Sequence, residues 1–493
     1  MLKSIIKHSV RSFKRQKGYF IINLLGLALG LASSLLITVF VIHEFSYDKF
    51  NEKGDRIYKL ILNGKIGGQE VTVSSTAAVI APTMKRDFPE VEKFCRINQM
   101  GVTNLRYNNR NFEERSYFEA DSTFFQLFSI PLIHGSAEDV LNEPHKMVIS
   151  RSTALRIFGD EDPIDKSIQV GTDETYYVVS GIMEDMPENC HFNANIILSF
   201  MTNPRSANPI WLNNSFDTYL LLYPNADPVA LEEKFPAMVR ENVGPEVIQF
   251  MGISMDEFES AGNKYRFFLQ PLFRIHLDPT VDQPMKPATD PKYLIIFGSV
   301  ALLIILIASI NFMNLSTAQA TKRSREVGMK KVSGSSRMML VTQFLAESVI
   351  LALLALIVAV VLVKLSLPLF NDLLNASFGF SLFGNWYTIF LLIGATIFVG
   401  LLAGSYPAFY LSSISPSVIF RNNNSKRSLN GRLRSVLVVF QFTASIILII
   451  GTTIMYRQIS YMLNKDVGYN KEQLLVISRA GALDSRVEAF RTR

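Results

Sequence analysis

The chain has 493 residues, 48% of them hydrophobic and 19% charged, with a mean hydropathy of +0.21. That balance is too apolar for an ordinary soluble protein and too charged for one wholly embedded in lipid, so it fits a membrane protein with a large aqueous domain. The net charge of +6 is segregated: between His43 and Pro291 stand 23 Lys and Arg against 36 Asp and Glu. The aqueous part is therefore acidic, and the positive surplus flanks the membrane segments, where lipid headgroups and topology account for it without nucleic acid.

Residues 1–18 are expected to form a basic amphipathic helix on the inner membrane surface, with Lys3, Lys7, Arg11, Lys14, Arg15 and Lys17 separated by apolar residues. A first span follows over 19–42, about 36 Å of helix against a hydrocarbon core of ~30 Å. It outlasts the roughly 7–15 apolar residues of a cleaved signal peptide. It also runs straight into His43, Glu44 and Phe45 without an A-x-A-like site, so it reads as an uncleaved span with its N-terminus inside.

Residues 43–291 hold no apolar run long enough to span. Short β-type runs, Ile57–Leu62, Tyr176–Val179 and Thr218–Leu222, alternate with helix-like stretches such as Ser152–Phe158, which predicts an α+β extracytoplasmic domain, of two lobes by its length. The two cysteines, Cys95 and Cys190, both fall here. A disulfide is permitted outside the cytoplasm, but two separately buried thiols is the reading favoured. His134, His145, His191 and His276 lie in no H-E-x-x-H or C-x-x-C pattern, and neither G-x-S-x-G nor G-x-x-x-x-G-K-[ST] occurs. No catalytic, metal or cofactor site is expected, and any ATP must be handled by a partner.

The membrane returns with a second span at 292–318 and a hairpin at 319–341, whose six Lys and Arg from Lys322 to Arg337 place it on the cytoplasmic side. A third span at 342–367 leads to a short external loop, 368–386, with one acid, Asp372, and no Lys or Arg. A fourth span at 387–411 leads to a linker, 412–434, bearing Arg421, Lys426, Arg427, Arg432 and Arg434. Basic and non-basic connections thus alternate as one topology requires. The fifth span, 435–456, and the tail, 457–493, repeat the order of the N-terminal segment: basic residues, a span, a polar exit with Asp466 and Tyr469, and a β-like run at Leu474–Ile477. The tail is expected to be the start of a second extracytoplasmic domain, left incomplete or packed on another element. Pro407 is expected to end or kink the fourth span, and Glu347 and Lys364 to snorkel toward the interface.

Several stretches then add up to a resemblance. R-E-V-G-M-K-K-V-S-G-S-S-R from Arg325 to Arg337 is followed by Q-F-L-A-E-S from Gln343 to Ser348. Further on come A-G-S-Y-P-A-F-Y-L-S from Ala403 to Ser412, with Ser415 and Pro416 after it. In the outer domain stand Asp121–Phe128, Val148–Gly159 and Val178–Phe192. In this order they resemble the MacB/FtsX-type permease subunits of ABC transporters, in the Bacteroidetes-like double-repeat form, relative to which the present sequence is expected to be truncated at its C-terminus.

The resemblance implies an α-helical transmembrane protein of about five spans with a large α+β extracytoplasmic domain of the MacB periplasmic-core type, in the bacterial inner membrane. It implies a permease without enzymatic activity of its own, passing the motion of a separate cytoplasmic ABC ATPase to the outer domain for export or extraction of a lipoprotein, peptide, antibiotic or similar amphiphile. The alternative is an FtsX-type signalling protein that controls a cell-wall hydrolase and moves no substrate. Implied partners are the ATPase, membrane lipid, a second permease copy and a periplasmic or outer-membrane protein.

The implied ATPase-docking residues are Arg325, Glu326, Val327, Gly328, Met329, Lys330, Lys331, Val332, Gly334 and Arg337. Their chemistry suits the role. Gly328 and Gly334 permit tight turns or close approach; Val327, Met329 and Val332 offer apolar contact; Arg325, Lys330, Lys331 and Arg337 steer toward an acidic surface; Glu326 suits a partner Arg. By charge alone, a loop that merely sets topology is an equal reading.

Overall fold

A computed structural model describes residues 17–171, 175–282, 285–374, 386–413 and 428–465, without the side chains of 66, 320–325 and 428–433. Nearly all of the expected N-terminal amphipathic helix, most of the external loop and of the linker, and the β-like run at 474–477 lie outside the described residues. The chain divides into two compact units, with boundaries at Ile42/His43 and Tyr293/Leu294.

Among the described residues the membrane unit has five helices long and apolar enough to cross a bilayer. They are α1 (Lys17–Phe45), α2 (Pro291–Val332), α3 (Arg337–Leu374), α4 (Trp386–Ser413) and α5 (Ser428–Asn464). Water cannot drive apolar helices together inside lipid, so association depends on close van der Waals packing and therefore on small residues. The shared core is accordingly rich in alanine: Ala28 and Ala32 of α1, Ala308 of α2, Ala352, Ala355 and Ala359 of α3, and Ala403 of α4, joined by Leu27, Phe312 and Leu351. Gly400 and Gly404, four apart on α4, bring it onto α3 most tightly. A Cβ at Gly404 would stand 2.4 Å from Ser348 Oγ, and one at Gly400 2.9 Å from Val349 Cα. By contrast α5 is exposed along nearly its whole described length, with Ala444 buried and Asn314 Nδ2 donating to Gln441 Oε1 at 3.3 Å.

The second unit is organised on one mixed sheet. Its strand path runs from Lys264–Pro271 through Ile57–Ile66, Asn214–Leu222, Val91–Gln99, Tyr117–Ala120, Ile196–Ser199, Lys146–Ser150, Thr175–Met183 and Ser167–Val170 to Thr103–Tyr107 and Arg110–Glu114. Two neighbouring pairs on this path are parallel, Ile196–Ser199 with Tyr117–Ala120 and Thr175–Met183 with Lys146–Ser150, and the others are antiparallel. The runs read from the sequence at 57–62, 176–179 and 218–222 all lie in these strands, and Ser152–Phe158 lies in the helix Arg151–Phe158.

Strand Asn214–Leu222 shows why the sheet is central. Alternate side chains leave it for opposite cores: Tyr219 and Leu221 enter one apolar cluster with Ile57, Cys95 and Phe192, while Leu220 and Leu222 enter another with Leu60, Phe235 and Val239. A third cluster gathers Met147, Ile149, Val179 and Ile196 against Ile157 and Phe158. Instead of two separate lobes, one continuous sheet carries helix Phe235–Met251 near one end and helix Arg151–Phe158 toward the other.

Cys95 and Cys190 are both buried in the same cluster and both free, and burial pushes each thiol well above its ordinary value. Two buried charged side chains are paired here. Lys59 Nζ lies 2.7 Å from Asp217 Oδ1, and Arg96 grips Asp121 through Nε and Nη2, each at 2.9 Å. Asp48, Cys190 and His191, which no sequence pattern brings together, place metal-ligand-type atoms within 4.8 Å of one another. His191, however, has Nδ1 2.8 Å from Asp48 Oδ1 and Nε2 2.8 Å from the Tyr219 hydroxyl. Both ring nitrogens are so engaged, and Asp48, His191 and Tyr219 form a hydrogen-bonded brace.

Candidate partner-docking site

The hairpin expected over 319–341 is a helix–turn–helix. Residues 320–331 are mostly Ala, Lys, Arg, Glu and Met, good helix formers whatever their polarity, so α2 continues through them and ends only at Val332. The ending follows from Gly334, which takes φ +89°. Its N–H donates to the Lys331 carbonyl at 3.1 Å and the Ser335 N–H to the Lys330 carbonyl at 3.0 Å, the paired closure that satisfies orphan carbonyls at a helix C-terminus. Two residues later Ser336 opens α3, its Oγ accepting from Met339 N at 3.2 Å. One helix stop and one helix start thus fit into S-G-S-S, a signal present in the sequence and hidden there by the charge of its surroundings.

The turn sorts the expected docking residues by helical face. Val327 is 1% exposed and packs with Leu340, Val341, Phe344, Ala408 and Leu411; Gly328 beside it is also buried. Lys330 and Lys331, three and four residues on, share that face. Lys330 Nζ lies 3.0 Å from Glu326 Oε1 and donates to Gln343 Oε1 at 3.2 Å, while Lys331 Nζ donates to the Ser412 carbonyl at 2.6 Å. Outward stand Met329 at 59%, Val332 at 70%, Gly334 and Arg337, joined by Met338 at 70% and Met339 at 48%, which have no place among the residues expected from the sequence. The side chain of Arg325 lies outside the described residues.

Behind the turn, the expectation for Glu347 is corrected. It does not snorkel: only 6% exposed, it faces a cavity of about 30 Å³ lined also by Tyr19, Ser316, Ser348 and Pro407. Gly400 and Gly404 let α4 close over that part of α3, which is why the carboxylate is covered. Lys364 is exposed, and Pro407 sits inside α4, which continues to Ser413.

The architecture is thus a set of apolar helices whose first two members are continuous in sequence with a mixed α+β domain, and whose second and third meet at a basic, methionine-bearing turn. Residues 20–238 match the MacB-like periplasmic core domain, and residues 298–416 match the FtsX-like permease C-terminal domain. The chain belongs to the MacB/FtsX-type permeases of ABC transporters, and its outer domain is extracytoplasmic.

Among its relatives is the macrolide export ATP-binding/permease protein MacB of Pasteurella multocida (strain Pm70), 23% identical over 64% of this chain and 44% of that protein. Another is the ABC transporter permease YvrN of Bacillus subtilis (strain 168), 22% identical over 71% of this chain and 81% of that one. A crystallised permease domain from Porphyromonas gingivalis matches 50% of this chain and 98% of its own length at 22% identity, with a TM-score of 0.39. The chain spans 44%, 57% and 60% of the length of three MacB proteins it matches.

Proposed function

We propose that the chain is the membrane subunit of an ABC transporter in a bacterial inner membrane, and that its α2–α3 turn docks on a separate cytoplasmic ATPase. The N-terminus and turn then face the cytoplasm, and the His43–Tyr293 domain faces the periplasm. ATP hydrolysis belongs to the partner. Its closure moves the turn, and the movement passes along α1 and α2, the two helices continuous with the outer domain, to export or extract a lipoprotein, peptide, antibiotic or similar amphiphile. A second copy of the permease, membrane lipid and a periplasmic or outer-membrane protein complete the assembly. Of the residues named from the sequence, Met329, Val332, Gly334 and Arg337 make the contact, with Met338 and Met339 added. Arg325 steers, while Glu326, Val327, Gly328, Lys330 and Lys331 shape the turn from behind.

One observation carries this reading. Met329, Val332, Met338 and Met339 are exposed at a turn flanked by Lys and Arg. Methionine fills irregular partner grooves because its side chain is flexible and polarisable, and basic flanks select an acidic partner surface. A loop that only sets topology needs the charges and not the apolar tips. The test is purification of the full chain from its native host. A cytoplasmic P-loop ATPase is expected to accompany it and to change its hydrolysis rate when bound. An isolated permease, or one accompanied only by a periplasmic hydrolase, overturns the transporter reading.

A further inference from the structure

We propose that Glu347 is a positioning residue for the docking turn: through Gln343 it holds Lys330, and so ties the turn to the place where α1, α2, α3 and α4 meet. The inference rests on the docking reading for its functional meaning, but its geometry stands apart from any partner.

An ionisable side chain inside a membrane helix is expensive, and its persistence there asks for a specific partner. Gln343, one helical turn before Glu347 on α3, donates from Nε2 to Glu347 Oε1 at 3.2 Å. Its other end, Oε1, accepts from Lys330 Nζ of α2 at 3.2 Å, and Lys330 in turn lies 3.0 Å from Glu326. The order of charges fixes the orientation of the amide between them. Only with oxygen toward the ammonium and nitrogen toward the carboxylate are both ends satisfied, and low surrounding dielectric strengthens such a run.

The far end lies at a cavity lined by all four helices. Glu347 shares its cavity with Tyr19 of α1, Ser316 of α2, Ser348 of α3 and Pro407 of α4, and the Tyr19 hydroxyl lies 2.5 Å from Ser316 Oγ. Pro407 has no N–H, so the Ala403 carbonyl loses its helical donor at the same level. Glu347 is therefore where a pull on the turn reaches the whole four-helix junction. Val327 and the Lys331–Ser412 contact hold the same face of the turn beside it, which explains why the lysines of the motif point inward while its methionines point out.

The test uses a spin label on Val332→Cys in the full-length protein, reconstituted in lipid without any ATPase; Cys95 and Cys190 are buried with raised thiols and do not compete for label. Glu347→Leu and Gln343→Leu are each expected to raise the ratio of mobile to immobile label about fivefold, the equilibrium shift that one net hydrogen bond is worth. The double variant is expected to go no further, because the links are in series. Exchanging the two groups, Gln343→Glu with Glu347→Gln, puts the carboxylate directly against Lys330 and the amide behind it, so the run stays connected, and is expected to return the label to its wild-type state. That rescue is not expected of residues that merely fill space. An unchanged label in both single variants, additive effects in the double, or a swap as mobile as the single variants would overturn the proposal. Loss of ATPase copurification from the wild-type protein would overturn the docking reading alone.

Discussion

Lys59→Met will strongly destabilise the outer domain. Lys59 is 1% exposed on strand Ile57–Ile66, its ammonium 2.7 Å from Asp217 and 5.4 Å from the centre of the Tyr219 ring. Asp217, 4% exposed, then keeps only the Gln99 amide, which donates to Oδ2 at 2.8 Å. Methionine preserves much of the volume, so the loss isolates the charge. Removing one partner of a buried pair costs about 3–5 kcal/mol, against a total stability of about 5–15 kcal/mol for a domain. Hydrogen exchange on the full-length protein is the measurement, because it reads this domain separately from the helices. Amides of strand Asn214–Leu222 should lose protection by that amount, and Lys59→Met with Asp217→Leu should recover most of it. A loss below about 1 kcal/mol, the range of a surface pair, would contradict the pairing.

The second large effect is expected at the turn. Val332→Glu combined with Met338→Glu should weaken copurification of the ATPase about a thousandfold, since two apolar anchors at an interface are worth about 2 kcal/mol or more each and the new carboxylates would be buried unpaired or repelled by an acidic partner. Both side chains are 70% exposed, so neither supports the fold, and membrane insertion and the protection of the outer domain should be unchanged. Gly328→Trp would be a poorer probe, because Gly328 is buried beside Val327 and the larger residue would disturb the packing of the turn itself.

The five long apolar helices were legible because apolar runs are direct physical signals, and the strands at 57–62, 176–179 and 218–222 because β-branched and aromatic residues cluster there. The limits of the helices were not legible. Hydropathy marks where a helix leaves lipid, whereas α2 continues to Val332 on helix propensity alone and stops at Gly334 by its φ of +89°. The faces of the turn were readable in principle: Val327, Lys330 and Lys331 follow the i, i+3, i+4 rule and Met329 and Val332 fall off it, a pattern that disappears once the segment is treated as a loop. Glu347 was misplaced because its cover comes from residues of other helices, Tyr19, Ser316 and Pro407 among them. Lys59 and the Asp48–His191 contact have no local signature at all, since a lysine in a strand reads as solvent-facing and 143 residues separate Asp48 from its partner.

The central claim is that the exposed apolar tip of the α2–α3 turn meets a cytoplasmic ATPase, and site-specific photo-crosslinking from Val332 in living cells addresses it most directly. A photoreactive residue there is expected to yield one major adduct with a P-loop ATPase, while the same residue at Ile133, 44% exposed in the outer domain, yields none with it. Adducts from Val332 to lipid or to periplasmic proteins alone, with the ATPase absent, would contradict the account.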